Sequence, residues 1–509
     1  MQGTEDYEIL AYGCLHLRLH LFTPPIYDSS RRAHCSLQIT MYMRFLLIVA
    51  LICTLTSYAY EVKRVRRHIP KPVSPTKDSF YVPKEGWEKT KPGTILASRK
   101  IQAGFTERRK INLDGAYQLL YRTSGVDDKS PSFTVTTVLV PKNARTNKLV
   151  MVMPYEDSNF VDCAPSYKIQ LGAPNELNPI QSVEELMWTS ILNDGWILTL
   201  PDHQGPLSAF SSSFIHGHAS LDALRATLNF ETLKLQPDDP IVGIGYSGGA
   251  MAGGWAASLH DSYASELNVV GWALGGTPSN LTGTFRGVNG GLFAGFSVAG
   301  IAGLVDSYPE VNDYIGSVIT PAGNDALQYT REHCMMGIVV GLQNVNMTLD
   351  SFVSNGNTLL TDEKIAPLLN KLTMGTEERY TPKAPVYMYH ARNDEIIPFE
   401  RANQTANTWC NNGANILFQD YTSISMGHVS TEVMNTPFVL KFIRDRMSGV
   451  DFIKGCQWKS DLNPLWEPDI LGARLIEVFN SLLNVLGAQV GRTDEVFKES
   501  IKQRNFTKS

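Results

Sequence analysis

The chain has 509 residues, 43% of them apolar and 19% charged, with 40 glycines and 27 prolines. Those proportions belong to a globular protein and exclude collagen, a long coiled coil and a wholly disordered chain. A formal charge of -5 supplies no basic field, so no nucleic-acid partner is expected.

In chain order, the first informative segment is Met43 and Arg44 followed by the uncharged apolar run 45–55 and the small residues Ser57 and Ala59. Such a run is too short to cross a bilayer as a helix. Its order of charge, apolar stretch and small residues is that of a secretory signal cleaved after Ala59. Since a signal begins at the initiator methionine, Met41 or Met43 is the expected start. Residues 1–42 then form a dispensable extension and 43–59 the signal peptide. Residues 60–78 hold the basic pairs Lys63-Arg64 and Arg66-Arg67 with Pro70, Pro72 and Pro75, and read as a leader or propeptide with dibasic processing sites.

Beyond residue 79 the recurring unit is a short apolar or β-branched run that ends in a polar or glycine-rich loop. The runs 149–153, 196–200, 241–244, 269–274, 386–389 and 416–418 are of this kind, and the stretches 221–230 and 250–259 between them have helical period. Strands alternating with helices predict an α/β fold with a mostly parallel sheet and its chemistry at the carboxyl ends of the strands.

One of those ends carries Gly245-Tyr246-Ser247-Gly248-Gly249, directly before a helix of small residues starting at Ala250. A strand, a glycine-flanked serine and a helix make a nucleophile elbow: the turn strains the serine, Gly245 and Gly249 leave it room, and its hydroxyl stands above the sheet. The N–H of Gly248, next in the chain, becomes an oxyanion donor. A serine hydroxyl needs a base, and in this architecture the acid and then the histidine follow the nucleophile. Of His260, His333, His390 and His428, only His428 leaves room for a strand-end carboxylate ahead of it, and it is expected in a polar loop after 416–418. Asp394, in the loop after 386–389, is the favoured partner for its Nδ1, with Glu395 and Asp420 as rivals.

Cys14, Cys35 and Cys53 precede the cleavage point, leaving Cys163, Cys334, Cys410 and Cys456 in the mature chain. None has CxxC spacing or lies near a histidine pair, so no metal is expected; two disulfides in an oxidising compartment are, with three pairings open. Asn280, Asn346, Asn403 and Asn505 head N-x-Thr sequons and are candidate glycosylation acceptors.

Several segments are distinctive together: Pro154-Tyr155-Glu156-Asp157-Ser158 with Cys163-Ala164-Pro165-Ser166-Tyr167, Pro201-Asp202 with Gly205-Pro206, the elbow, Tyr389-His390 with Asp394-Glu395-Ile396-Ile397-Pro398, and Gly427-His428. On these, spread over roughly residues 85–460, the chain resembles the fungal secretory lipase family. The resemblance implies an α/β-hydrolase fold with a mostly parallel central sheet, its catalytic domain formed by 79–276 and 382–509, and an inserted, largely helical cap over 277–381. It implies a triad of Ser247, Asp394 and His428, and an oxyanion hole of Gly248 and Asp157, the aspartate donating through its main-chain N–H or as a protonated side chain. It further implies disulfides Cys163–Cys334 and Cys410–Cys456 and no cofactor.

The uncharged stretch 290–305, with Leu292, Phe293, Phe296, Val298, Ile301 and Leu304, is expected to line a lipid pocket, touch a lipid–water interface or pack the cap on the core. His203-Gln204 departs from the aromatic–acid pair common in relatives and is expected to border the pocket. The apolar stripe of Ile470, Leu471, Leu475, Phe479, Leu482, Leu483 and Leu486 reads as a docked helix, so the mature chain is expected to have no transmembrane segment. The expected function is that of a secreted serine lipase hydrolysing acylglycerol esters through an acyl-enzyme. The alternatives are a short-chain carboxylesterase or acyltransferase, and a catalytically silent lipid-binding protein.

Overall fold

A computed structural model describes residues 69–105, 109–174, 181–423 and 426–462. The signal segment, the leader as far as residue 68, the stripe at 470–486 and Asn505 lie outside these residues. No helix among the described residues is long and apolar enough to cross a membrane.

Ten strands form one sheet: β1 (Ile95–Lys100), β2 (Gly115–Ser124), β3 (Pro131–Val140), β4 (Leu149–Met153), β5 (Ile197–Pro201), β6 (Ile241–Tyr246), β7 (Val269–Gly275), β8 (Val386–Ala391), β9 (Ile416–Tyr421) and β10 (Cys456–Asp461). Their order is β1-β2-β3-β5-β4-β6-β7-β8-β9-β10. Strands β1, β2, β3 and β5 pair antiparallel in succession, and every pairing from β5 to β10 is parallel. Every residue of β4, β5 and β6 is buried, as expected of parallel strands covered on both faces.

The chain order reverses between β4 and β6, which are neighbours although β5 comes between them in sequence. Loops leave such a switch point in opposite directions and open a crevice at the strand ends. The pairing of Met153 with Gly245 therefore sets the loop after β4 beside the turn after β6.

Helices α1 (Gln181–Asn193), α2 (Ser213–Leu228) and α3 (Gly248–Tyr263) come from the first half of the sheet. Leu221, Leu224, Met251 and Trp255 of α2 and α3 share one core with Met151 and Trp272. Trp188 and Ile191 of α1 join Val150, Leu198, Val242 and Ile443 in another. Gly243 is glycine for a packing reason: a Cβ there would stand 2.2 Å from the Trp272 ring.

Between β7 and β8 the chain contributes no strand to the sheet. It forms α4 (Leu281–Val288), α5 (Gly295–Ser307), α6 (Pro309–Val318), α7 (Pro321–Thr330), α8 (Met335–Gly341) and α9 (Ala366–Lys371). In α5, Val298, Ala299 and Ala302 are fully buried, and a Cβ on Gly303 would lie 1.8 Å from the carbonyl oxygen of Phe210. The stretch 290–305 thus packs this segment tightly on the body. Disulfide Cys163–Cys334 fastens α8 to the turn after β4, and Cys410–Cys456 fastens α10 (Phe399–Asn411) to the edge strand β10. The last helix, α11 (His428–Met447), buries Val439, Leu440 and Ile443. Residues 69–78 lie against the body, with Pro75 buried and Thr76 bonded to Asp162 through N–H and Oγ1 at 3.2 and 2.9 Å.

Candidate active site

The turn after β6 is as tight as its glycines require. A Cβ on Gly245 would meet the Gly249 carbonyl oxygen at 2.3 Å, and one on Gly249 would meet that of Met153 at 2.0 Å. Between them Ser247 adopts φ 52° and ψ -124°, a conformation that costs an L-residue of order 1–3 kcal/mol and that surrounding contacts must enforce. Ser247 N–H donates to Gly275 O at 2.9 Å, and its own carbonyl accepts from Met251 N–H at 2.9 Å, the first turn of α3.

His428 is the first residue of α11 rather than part of a loop. Its ring lies 5.0 Å from that of Tyr246, whose hydroxyl donates to the His428 carbonyl at 2.6 Å. Gly276 backs the ring, since a Cβ there would come within 2.8 Å of its Cε1. The elbow residue before Ser247 therefore anchors the histidine.

Nδ1 of His428 is 2.7 Å from Oδ2 of Asp394, a fully buried carboxylate. Its Oδ1 accepts from the N–H groups of Ile396 and Ile397 at 3.0 and 2.8 Å, and His390 Nε2 lies 3.3 Å from Oδ2. Burial alone would raise the Asp394 pKa, but His428 and His390 hold it well below the usual carboxylate range. Burial likewise opposes charge on His428, and Asp394, with Glu395 and Glu432, outweighs it and pushes the pKa up to about 8. Nε2 of His428 has no hydrogen-bond partner among the described residues, so the ring makes no bond to the Ser247 hydroxyl in this state.

The rival carboxylates are engaged elsewhere. Glu395 accepts the main-chain N–H of His428 at 2.9 Å, and Asp420 pairs with Arg392 at 2.5 Å and takes the Ser460 hydroxyl at 3.0 Å.

Across the elbow, the carboxyl of Asp157 faces Gly248 so closely that a Cβ on the glycine would be 1.8 Å from its Oδ1. Asp157 is buried, with Oδ1 unpartnered among the described residues, and burial pushes its pKa up to about 7. Its neighbour Glu156 accepts the Ser208 hydroxyl at 2.6 Å and is raised to about 8 by burial.

Ser247, Gly248 and Asp157 line the wall of a pocket with about 870 Å³ of space free of protein atoms, part of it open to solvent. The rest of its lining is almost wholly apolar, and most of it comes from residues 278–369, including Phe285, Phe296, Leu304, Ile315 and Leu369. Phe296, Ile301 and Leu304 of the stretch 290–305 reach this lining, so that stretch both packs and lines. His203 and Gln204 do not: both are 1% exposed, outside the lining, and bonded to the backbone of the loop after β4. A dipeptide following a strand into the crevice reads as pocket rim, but its side chains turn under the loop instead.

Two further buried carboxyls, Glu184 of α1 and Glu432 one turn after His428, lie behind the site, both pushed up by burial. The spacing of Glu432 from His428 was the only sequence sign of it. Among the described residues no cluster of His, Cys, Asp or Glu has the arrangement of a metal site. Asn280 caps α4 through Gly283 N–H at 2.7 Å, Asn346 accepts the Thr348 hydroxyl at 2.6 Å, and Asn403 accepts the Trp458 indole N–H at 3.1 Å.

Residues 170–455 match the family model described as secretory lipase. The chain is 73% identical over 473 residues, 92% of its length and 100% of the relative's, to a secreted triacylglycerol lipase of Malassezia globosa. It is 44% identical to a secreted triacylglycerol lipase of Malassezia restricta, over 91% of this chain and 98% of that one. Among solved structures, Candida antarctica lipase A in its closed state superposes with a TM-score of 0.72 at 29% identity, covering 83% of this chain and 99% of that one. The rice cell wall degrading esterase LipA of Xanthomonas oryzae shares the fold, with a TM-score of 0.52 at 15% identity over 70% of this chain and 97% of that one.

Proposed function

The chain belongs to the secretory lipase family, and on that premise we propose that it is a secreted lipase cleaving acylglycerol esters with Ser247, His428 and Asp394 as its triad. In this reading residues 79–276 and 382–509 form the catalytic domain and 277–381 a cap that holds the acyl chain at a lipid–water interface.

Neutral His428 takes the Ser247 proton at Nε2 while Oγ attacks the ester carbonyl carbon. Asp394 keeps the Nδ1–H tautomer and stabilises the imidazolium. The carbonyl oxygen gains the negative charge and is held by the Gly248 N–H and by Asp157, through its N–H or its protonated carboxyl. Collapse breaks the bond to the glycerol oxygen, which leaves with the proton from His428, and the acyl group remains on Ser247. Water, deprotonated by His428, then attacks the acyl-enzyme, releasing fatty acid and free serine.

The observation that carries this reading is the pocket: a largely apolar chamber of fatty-chain character with Ser247, Gly248 and Asp157 together in its wall. Ser247→Ala is expected to lower turnover of emulsified triolein and of a soluble butyrate ester by on the order of 10⁴ or more, with an unchanged circular dichroism spectrum. Turnover surviving in that variant would end the proposal. The ratio of the two wild-type rates separates a lipase from a short-chain esterase.

A further inference from the structure

The loop after β4 must hold an unfavourable backbone. Asp157 has φ +46°, in the left-handed region that L-residues enter at a cost, and such a residue persists only where its surroundings over-determine it. Much of that restraint comes from the residues following β5. Asp202, His203 and Gln204 are all buried. Asp202 accepts the N–H and hydroxyl of Ser166 at 2.7 and 2.5 Å, fixing the turn beyond Cys163.

His203 places Nε2 at 2.7 Å from the Pro154 carbonyl oxygen, and Gln204 donates Nε2–H to the Ser158 carbonyl at 2.9 Å. A carbonyl only accepts, so the His203 hydrogen sits on Nε2. Burial pushes the His203 pKa down to about 4, leaving a neutral ring with Nδ1 bare and unpartnered among the described residues. The buried ring of His216 packs against it at 5.0 Å. Two successive side chains thus grip the carbonyls on either side of Tyr155-Glu156-Asp157.

We propose that His203 and Gln204 are positioning residues for ester hydrolysis, clamping both ends of the 154–158 loop so that Asp157 stays opposite the N–H of Gly248. This rests on the reading of Asp157 as an oxyanion donor. Neither side chain lines the cavity, so ground-state binding of the ester is untouched by them. Loosening the clamp displaces a donor that matters only once charge has developed on the carbonyl oxygen, and a displacement of about 1 Å is enough to cost roughly 10²-fold in rate.

The test compares four purified variants on a soluble ester. His203→Phe keeps a ring and removes the N–H; His203→Gln returns an N–H near the same place; Gln204→Met keeps shape and removes the donor; Asp157→Ala removes the carboxyl and leaves the main-chain N–H. His203→Phe and Gln204→Met are expected to lower kcat about 10- to 100-fold with KM within about twofold, as for interactions made only in the transition state. Both should weaken, by a similar factor, inhibition by a long-chain trifluoromethyl ketone, whose adduct with Ser247 carries an oxyanion. His203→Gln should recover kcat to within about threefold of wild type. A lowered Tm with unchanged kcat in both donor-deleted variants, or a raised KM in place of a lowered kcat, would mean that the pair only packs or only binds, and overturns the clamp. If Asp157→Ala itself keeps full kcat, the carboxyl is not the donor, and the clamp stands only if His203→Phe and Gln204→Met still lower kcat, by displacing the main-chain N–H of residue 157; full kcat in all three overturns it. An impaired Asp157→Ala beside unimpaired His203→Phe and Gln204→Met overturns the clamp alone.

Discussion

Gly248 and Asp157 fit face to face because one of them has no side chain, and in the proposed mechanism that contact sets a carboxyl beside the negative oxygen of the tetrahedral intermediate. An ionised carboxylate there would repel the oxyanion; a protonated one donates to it. With its pKa raised to about 7 by burial, Asp157 is protonated below that pH and becomes an anion above it. In the proposed mechanism His428 runs the other way, since an imidazole is a base only when neutral and its pKa is raised to about 8. The productive pair, neutral acid with neutral imidazole, is most populated between those values. The kcat/KM profile is therefore expected to be a bell with its top between about pH 7 and 8. Asn donates at every pH, so Asp157→Asn should lose the alkaline fall and climb through about pH 8 to a plateau. A profile for that variant that still falls in alkali would place the titration on another group.

At the scale of the elements, the strands that could be read from the chain are those covered on both faces, because burial on two sides writes an uninterrupted apolar run. β4 is such a run from end to end. β2 and β3 escaped that reading because their interior polar residues are bonded rather than replaced: Thr136 meets Thr199 at 2.7 Å, Gln118 reaches the Ser166 carbonyl at 2.5 Å, and Thr123 donates to Asp222 at 2.7 Å. Edge strand β10, with the sequence CQWKSD, has no apolar run to show, and it is paired to β9 and tied by Cys410–Cys456. The order of serine, acid and histidine was legible because it is a property of connectivity. The helical start at His428 was not, since α11 opens on Gly427 and buries Thr431, Glu432 and Asn435 in its first turns and carries Pro437.

The two disulfides act at different elements and should separate in their effects. The chain-entropy model gives about 4 kcal/mol for a sequence separation of 46 and about 5 kcal/mol for one of 171. Replacing Cys410 and Cys456 by Ser is expected to lower stability with kcat intact, because β10 is remote from the elbow in the strand order. Replacing Cys163 and Cys334 should lower both, since that bond ties α8 to the chain just beyond Asp157. Denaturant midpoints and kcat on a soluble ester check the pair, and equal kcat in both double variants would show that the Cys163–Cys334 tether does not reach the site.

For the whole molecule the governing feature is the number of buried carboxyls whose pKa lies above the ordinary value. Burial pushes Glu156 and Glu432 up to about 8, Asp157 and Asp202 to about 7, and Glu184 well above its usual value. The folded chain therefore keeps protons that the unfolded chain releases near pH 4, so their stabilising contribution is full below about 4 and is lost as pH rises through about 7 to 8. Buried histidines work in the opposite sense: His203 and His218 are lowered to about 4 and His216 well below its usual value, chiefly by burial. Unfolded histidines bind protons below about pH 6.5, so this contribution is full above that pH and is lost as pH falls toward about 4. Asp394, held below the usual carboxylate range, matters only in stronger acid. Between pH 8 and 6.5 the carboxyls act together with His428, whose raised pKa works in the same sense, and acidifying must stabilise; below 6.5 the lowered histidines offset part of the gain. These five raised carboxyls outnumber these three lowered histidines, so Tm is expected to rise as pH falls from 8 to about 5 at constant ionic strength, more steeply above about pH 6.5 than below it. A Tm that climbs steadily from pH 6 to 8 would mean that these carboxyls are ionised in the native protein, and an ionised Asp157 would then leave only its main-chain N–H to meet the oxyanion.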